Sequence, residues 1–120
     1  MSMSSEDRMK TPVIERVSKR GCFIQFASKY LRGDKDVVLA AVRQDGHALY
    51  YASKELRADK EVVLEAVKNE GSALKYASNA LKNDKELVLI SVKDWSHNMI
   101  YVGDELQRDK EVLLTAVKAM

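Results

Sequence analysis

The chain has little of what crosslinks, breaks or anchors a small protein. Among its 120 residues are one cysteine, one proline, five glycines and two histidines. The lone Cys22 excludes an internal disulfide framework and fits a reducing compartment. The scarce glycines form no phosphate-cradling loop, and no nucleophile elbow is present. No stretch approaches the roughly 20 apolar residues needed to cross a bilayer, and the opening ten residues are polar, without the apolar run of a secretory signal. A cytoplasmic, membrane-free protein is the expectation. Charge of one sign is lacking too: 20 Lys and Arg stand against 18 Asp and Glu, a net charge of +2. That is too small to point to a polyanion without asking where the charges sit.

What the sequence does have is a repeat. Asp34, Asp59, Asp84 and Asp109 each open an Asp-Lys-acid triplet completed by Asp36, Glu61, Glu86 and Glu111, at a constant spacing of 25. The same register holds Gly21, Gly46, Gly71 and Ser96; Phe26, Tyr51, Tyr76 and Tyr101; Leu31, Leu56, Leu81 and Leu106; Val42, Val67, Val92 and Val117. A fixed period of this length is the signature of a stacked array. The chain therefore divides into a half-repeat over 11–20 and repeats over 21–45, 46–70, 71–95 and 96–120, behind a disordered tail over 1–10.

Each repeat reads as two short helices. In the first, Leu74, Ala77, Ser78 and Leu81 fall at i, i+3, i+4 and i+7, one narrow stripe over 72–81. The second opens on the Asp, whose carboxylate can accept from free first-turn N–H groups, and Val62, Val63, Leu64, Ala66 and Val67 make most of its circumference apolar. Gly71 is expected to stop it in a left-handed turn. At the front, Thr11 and Pro12 read as an N-cap and first helical residue, while Arg16 replaces Ala41, Ala66, Ser91 and Ala116, as a solvent-facing capping helix would. The prediction is an all-α solenoid of about nine helices, the half-repeat plus four pairs.

The segments Asp-Lys-Glu-Val-Val-Leu-x-Ala-Val-Lys over 59–68 and Gly-x-Ala-Leu-x-Tyr-Ala-Ser-x-x-Leu over 71–81 resemble the tandem repeats of a domain of unknown function, DUF4116. The resemblance covers about residues 12–120. It implies a helical array and brings no activity, cofactor or catalytic residue. Unit 4 departs from the pattern at Trp95, Ser96 and Asn98, where unit 3 has Glu70, Gly71 and Ala73.

No residue set points to catalysis, a metal or a cofactor. His47 and His97 share a register position with Cys22 and Ser72, but equivalents in packed helices lie about 10 Å apart per unit, too far for bonds of about 2 Å to one ion. The repeated Asp series behaves as caps rather than as one active site, so an enzyme is not expected. The Phe26, Tyr51, Tyr76, Tyr101 series reads as structural spacers.

Two surfaces remain. The first helices of repeats 1–3 carry Lys29, Arg32, His47, Tyr50, Lys54, Arg57, Lys75 and Lys82, a basic strip suited to an acidic partner or nucleic acid. The last helix repeats the apolar positions that earlier units bury against a neighbour, which leaves Leu113, Leu114 and Val117 open, with Trp95 and Ile100 nearby in sequence. The leading expectation is a scaffold that binds a protein partner through this C-terminal helix, with a homodimer, or a longer natural array cut at residue 120, as the form that would cover it; nucleic acid comes second.

Overall fold

The computed structural model describes the backbone of residues 5–120 and the side chains of residues 8–120. Those residues contain eight α-helices, five 3-10 segments and no strand, in a body of 55 × 24 × 18 Å. The long helices α1 (Ser5–Lys19), α3 (Lys35–Gln44), α5 (Lys60–Asn69), α7 (Lys85–Asp94) and α8 (Lys110–Lys118) lie one beside the next. The 3-10 segments Gly21–Phe26, Gly46–Tyr51, Gly71–Tyr76 and Ser96–Tyr101 stack in a second row. In chain order the one-turn helices α2 (Lys29–Arg32), α4 (Lys54–Arg57) and α6 (Asn79–Lys82) link each 3-10 segment to the long helix of its unit, with a 3-10 turn, Asp104–Leu106, in the fourth unit. Each of α3, α5 and α7 is held between the 3-10 segment of its own unit and that of the next.

This architecture corrects the count of nine helices, because every first helix is split. The break falls at Ala77–Ser78, where Ser78 is extended at φ −61°, ψ 158°. Ser78 Oγ accepts from the Leu81 N–H at 3.3 Å, and Ser28 and Ser53 do the same for Leu31 and Leu56. The serine is thus an N-cap, not a stripe residue. Its own N–H reaches back across the stack: Ser53 donates to Arg32 O and Ser78 to Arg57 O, each at 3.0 Å, and Gly103 to Lys82 O at 2.8 Å. Gly103 has no hydroxyl to cap with. Asn83 of the preceding unit substitutes, its Oδ1 accepting from the Glu105 N–H at 3.1 Å, in space that a side chain at 103 would fill.

The glycine expectation is also corrected. No described glycine has positive φ. Gly46 is small because its segment lies directly on its own second helix: an added Cβ would stand 2.5 Å from the Ala66 carbonyl oxygen. The approach is tied by the Gly46 N–H, which donates to Asn69 Oδ1 at 2.7 Å, as the Gly71 N–H does to Asp94 Oδ2 at 3.0 Å. The position 23 residues beyond Ser96 is Ala119, which has no side-chain acceptor, so this tie is missing in unit 4.

At the front, α1 begins at Ser5, so the disordered tail is corrected over 5–10, while 1–4 lie outside the described residues. Pro12 sits inside the helix rather than at its first position, and gives up the bond to the Arg8 carbonyl. Lys10, the register equivalent of Lys35, lies within this helix and makes the contacts described next.

The core is built from the faces that α3, α5 and α7 turn to neighbouring units. Val38, Val63 and Val88, and Val42, Val67 and Val92, are all at most 1% exposed. Burying each such side chain contributes roughly 1.5–3 kcal/mol before chain entropy is offset. Unit stacking is what removes them from water.

Candidate interaction surface

A ladder of charge runs along the stack. Lys10 Nζ lies 3.0 Å from Asp34 and 3.1 Å from Asp36. Lys35 bridges Asp59 and Glu61 at 3.0 and 3.3 Å, Lys60 bridges Asp84 and Glu86 at 3.1 and 3.0 Å, and Lys85 bridges Asp109 and Glu111 at 3.3 and 3.1 Å. At every junction one unit's lysine clamps the two carboxylates in the first turn of the next unit's helix. The N-cap of that helix supplies one of them: Asp59 Oδ1 accepts from the Glu61 and Val62 N–H groups at 3.0 and 3.3 Å.

The clamp shows in the ionisation of both partners. Each lysine is held above its ordinary value by hydrogen bonds to its carboxylates, foremost Asp34 for Lys10, Asp59 for Lys35, Glu86 for Lys60 and Glu111 for Lys85. Partial burial pushes Asp59 up, but the Lys35 hydrogen bond and the Val62 N–H outweigh it and hold the carboxyl below its ordinary value. For Asp109 the Val112 N–H is the largest influence, with Lys85 in support, and the result is again a lowered value. The sequence reading assigned the acids as caps and left the lysine without a role. Its signal was present: a lysine at 10, 35, 60 and 85, with acids 24 and 26 positions later each time.

The ladder ends at Lys110, which has no ion pair among the described residues. The same helix, α8, exposes its outer apolar row. Leu113 is 42% and Val117 62% exposed, whereas their equivalents Val38, Val63, Val88, Val42, Val67 and Val92 are essentially buried. Leu114 is 49% exposed where Leu39 is 8%. Val112 and Ala116, on the inner side, stay buried. Trp95 and Ile100 are exposed as well, and Trp95 lies against the His97 ring at a centroid distance of 4.6 Å.

The basic strip is divided by the break at the capping serines. Lys29 and Arg32 lie on α2, Lys54 and Arg57 on α4 and Lys82 on α6, adjacent through the backbone bonds from Ser53 and Ser78. His47, Tyr50 and Lys75 belong to the 3-10 row instead. There Lys75 Nζ stands 5.0 Å from the Tyr76 ring and 5.8 Å from the Tyr101 ring. Tyr50, itself exposed, meets the half-buried Tyr51 and Tyr76 edge-on at 5.0 and 5.4 Å, whereas Phe26, first of the expected spacer series, is 75% exposed. His47 is engaged on both ring nitrogens, Nδ1 with Glu70 at 3.0 Å and Nε2 with Ser72 Oγ at 2.9 Å. Donor atoms of Asp45, His47 and Glu70 lie within 4.8 Å of one another, at the boundary of units 1 and 2, while the Ser72 contact ties His47 to unit 3. Cys22 is exposed and lines a hollow of about 190 Å³ beside His47.

The second junction of note is polar and buried. Ser91 and Asn98 replace the alanines at 66 and 73; Ser91 Oγ donates to Gly71 O at 2.7 Å, and Asn98 Nδ2 donates to Ser91 O at 2.8 Å. Of the two bonds only that of Asn98 crosses from unit 4 to α7, in the unit whose glycine is replaced by Ser96.

These features define a tandem array of helical units held by a repeated junction. The match of a family model to residues 13–57 and 59–101 identifies it further. The chain belongs to the family described as a domain of unknown function, DUF4116. No curated protein and no solved structure matches it. No helix among the described residues is long and apolar enough to cross a membrane.

Proposed function

We propose that the chain is a non-enzymatic helical-repeat scaffold for protein–protein interaction, with the outer face of α8 as its contact surface. The observation that carries this reading is the contrast within one register. Leu113 and Val117 are exposed where every internal equivalent is buried, so the face is built for packing and is uncovered among the described residues. Contiguous exposed apolar surface is uncommon on a soluble domain and marks interaction sites. Trp95, a residue type enriched at binding hot spots, is exposed elsewhere in the same unit, as is Ile100. Capture of proteins from a lysate by the wild-type chain and by a Leu113→Glu/Val117→Glu variant of unchanged helicity tests the reading. A partner retained only by the wild type, then shown to bind as purified protein, is the expected result; identical retained sets overturn it.

A second reading has one observation in its favour, the side-by-side placement of Lys29, Arg32, Lys54 and Arg57 on α2 and α4. An acidic partner or nucleic acid held there would release counterions, and its affinity would fall steeply with salt. Charge reversal at Lys29 and Lys54 would then weaken binding far more than reversal at Lys118, and equal effects would leave only nonspecific charge.

A further inference from the structure

The chain contains four worked examples of what covers the face that α8 leaves open. At each, a lysine of one helix, directly after the N-cap in α3, α5 and α7 and within α1 at the front, clamps two carboxylates at the start of the next. Behind the clamp, buried valines pack unit on unit: Val38 and Val42, then Val63 and Val67, then Val88 and Val92. On α8 the corresponding half-junction is uncovered among the described residues: Lys110 has no ion pair, and Leu113 and Val117 are exposed.

We infer that α8 docks a helix from outside residues 1–120 that opens with two carboxylates, at its N-cap and two residues later, and continues with aliphatic residues. The inference rests on the reading of α8 as a contact surface and adds the partner's chemistry to it. The cation supplies orientation and register, because only a partner whose first turn meets Lys110 places its apolar row on Leu113 and Val117. The apolar row supplies most of the affinity, since exposed ion pairs contribute little individually.

A second copy fits this half-junction poorly. Its four acid pairs are already clamped by Lys10, Lys35, Lys60 and Lys85. At its front, the register positions of the two acids hold Met9 and Thr11, and the exposed Arg16 occupies the place of a buried alanine. Two copies meeting through α8 would bring Lys110 and Lys118 of each toward like charges.

The test uses the full chain and a stapled synthetic helix opening with the Asp-Lys-Glu-Val-Val-Leu sequence of residues 59–64, against a control with Asn and Gln in place of its two acids. Binding is read by fluorescence anisotropy at low and high salt. The acidic helix should bind tighter than the control by roughly threefold to tenfold, with the difference shrinking in salt. Lys110→Glu should reverse the preference, and Leu113→Glu should abolish binding of both helices. If both helices bind alike and Lys110→Glu changes nothing while Leu113→Glu abolishes binding, the acidic partner is overturned and the contact surface stands. Binding of neither helix overturns the inference, with lysate capture deciding the wider reading separately. Sedimentation showing a dimer of the wild-type chain that Leu113→Glu dissociates would assign the face to a second copy and overturn the inference as well.

Discussion

Replacing Gly46 with alanine sets two physical arguments against each other. Gly46 has an ordinary negative φ, so on backbone grounds alone alanine should stabilise by about 0.4–1 kcal/mol through a less flexible unfolded chain. Packing predicts the reverse. The new Cβ would stand 2.5 Å from the Ala66 carbonyl oxygen and 3.1 Å from Glu70 Cβ. A carbon–oxygen contact relaxes to about 3.3 Å, so the 3-10 segment and α5 must part by nearly ~1 Å. Both obstacles belong to backbone or to a Cβ, and neither can swing aside. Moving them stretches the Gly46 to Asn69 hydrogen bond and opens the Leu49 packing behind it. Overpacking of this kind costs about 1–3 kcal/mol, which leaves a net loss of roughly 1–2 kcal/mol after the unfolded-state gain. For a domain of this size that lowers Tm by roughly 4–16 °C. Urea unfolding followed by circular dichroism should show an earlier midpoint with an unchanged slope. A variant as stable as wild type, or more so, would refute the close-approach argument and return Gly46 to the role of a flexible turn residue.

Asp59→Ala removes the cap of α5 and should cost about 0.5–2 kcal/mol, read from the same urea midpoint. Ser78→Ala should cost a similar amount by freeing the Leu81 N–H, whereas a continuous helix through 72–81 would make alanine there neutral or better. Asp59 and Asp109 have folded-state values below the ordinary 3.8, so their stabilisation is present above that pH and is lost as pH falls through the lower folded value. Melting temperature should therefore drop below about pH 4, and a flat acid limb would contradict the clamp. The bridging lysines have folded values raised above 10.5, so theirs is present below that pH and lost as pH rises through the higher folded value.

The period, the cap at each Asp and the identity of the core were legible because they are local or strictly repeated. Three features were not. The Ala-Ser pair at 77–78 satisfies helical spacing and N-cap chemistry equally, and only the stacking bond from Ser78 N–H to Arg57 O decides between them. Gly71 following an apolar helix matches a left-handed stop, yet its smallness serves a contact with Asp94 and Asn98 more than 20 positions later. Thr11-Pro12 has the form of a helix start, but the helix already runs from Ser5 and takes Pro12 into its interior. Of the candidate surface, the apolar row on α8 could be read from the repeat, whereas Lys110 was overlooked because a lysine in a first turn carries no signal until the acids of the next unit are set beside it.

The outer face of α8 is built like an internal junction but is uncovered among the described residues. The unfolding free energy of Leu113→Glu, measured beside those of Val63→Glu and Val88→Glu in the same register, tests it most directly. An exposed position tolerates the charge, so Leu113→Glu should lie within about 0.5 kcal/mol of wild type. The two buried positions should lose several kcal/mol, enough to unfold the chain. Equal damage at all three would mean that the α8 face is already covered, and the contact surface proposed for it would not exist.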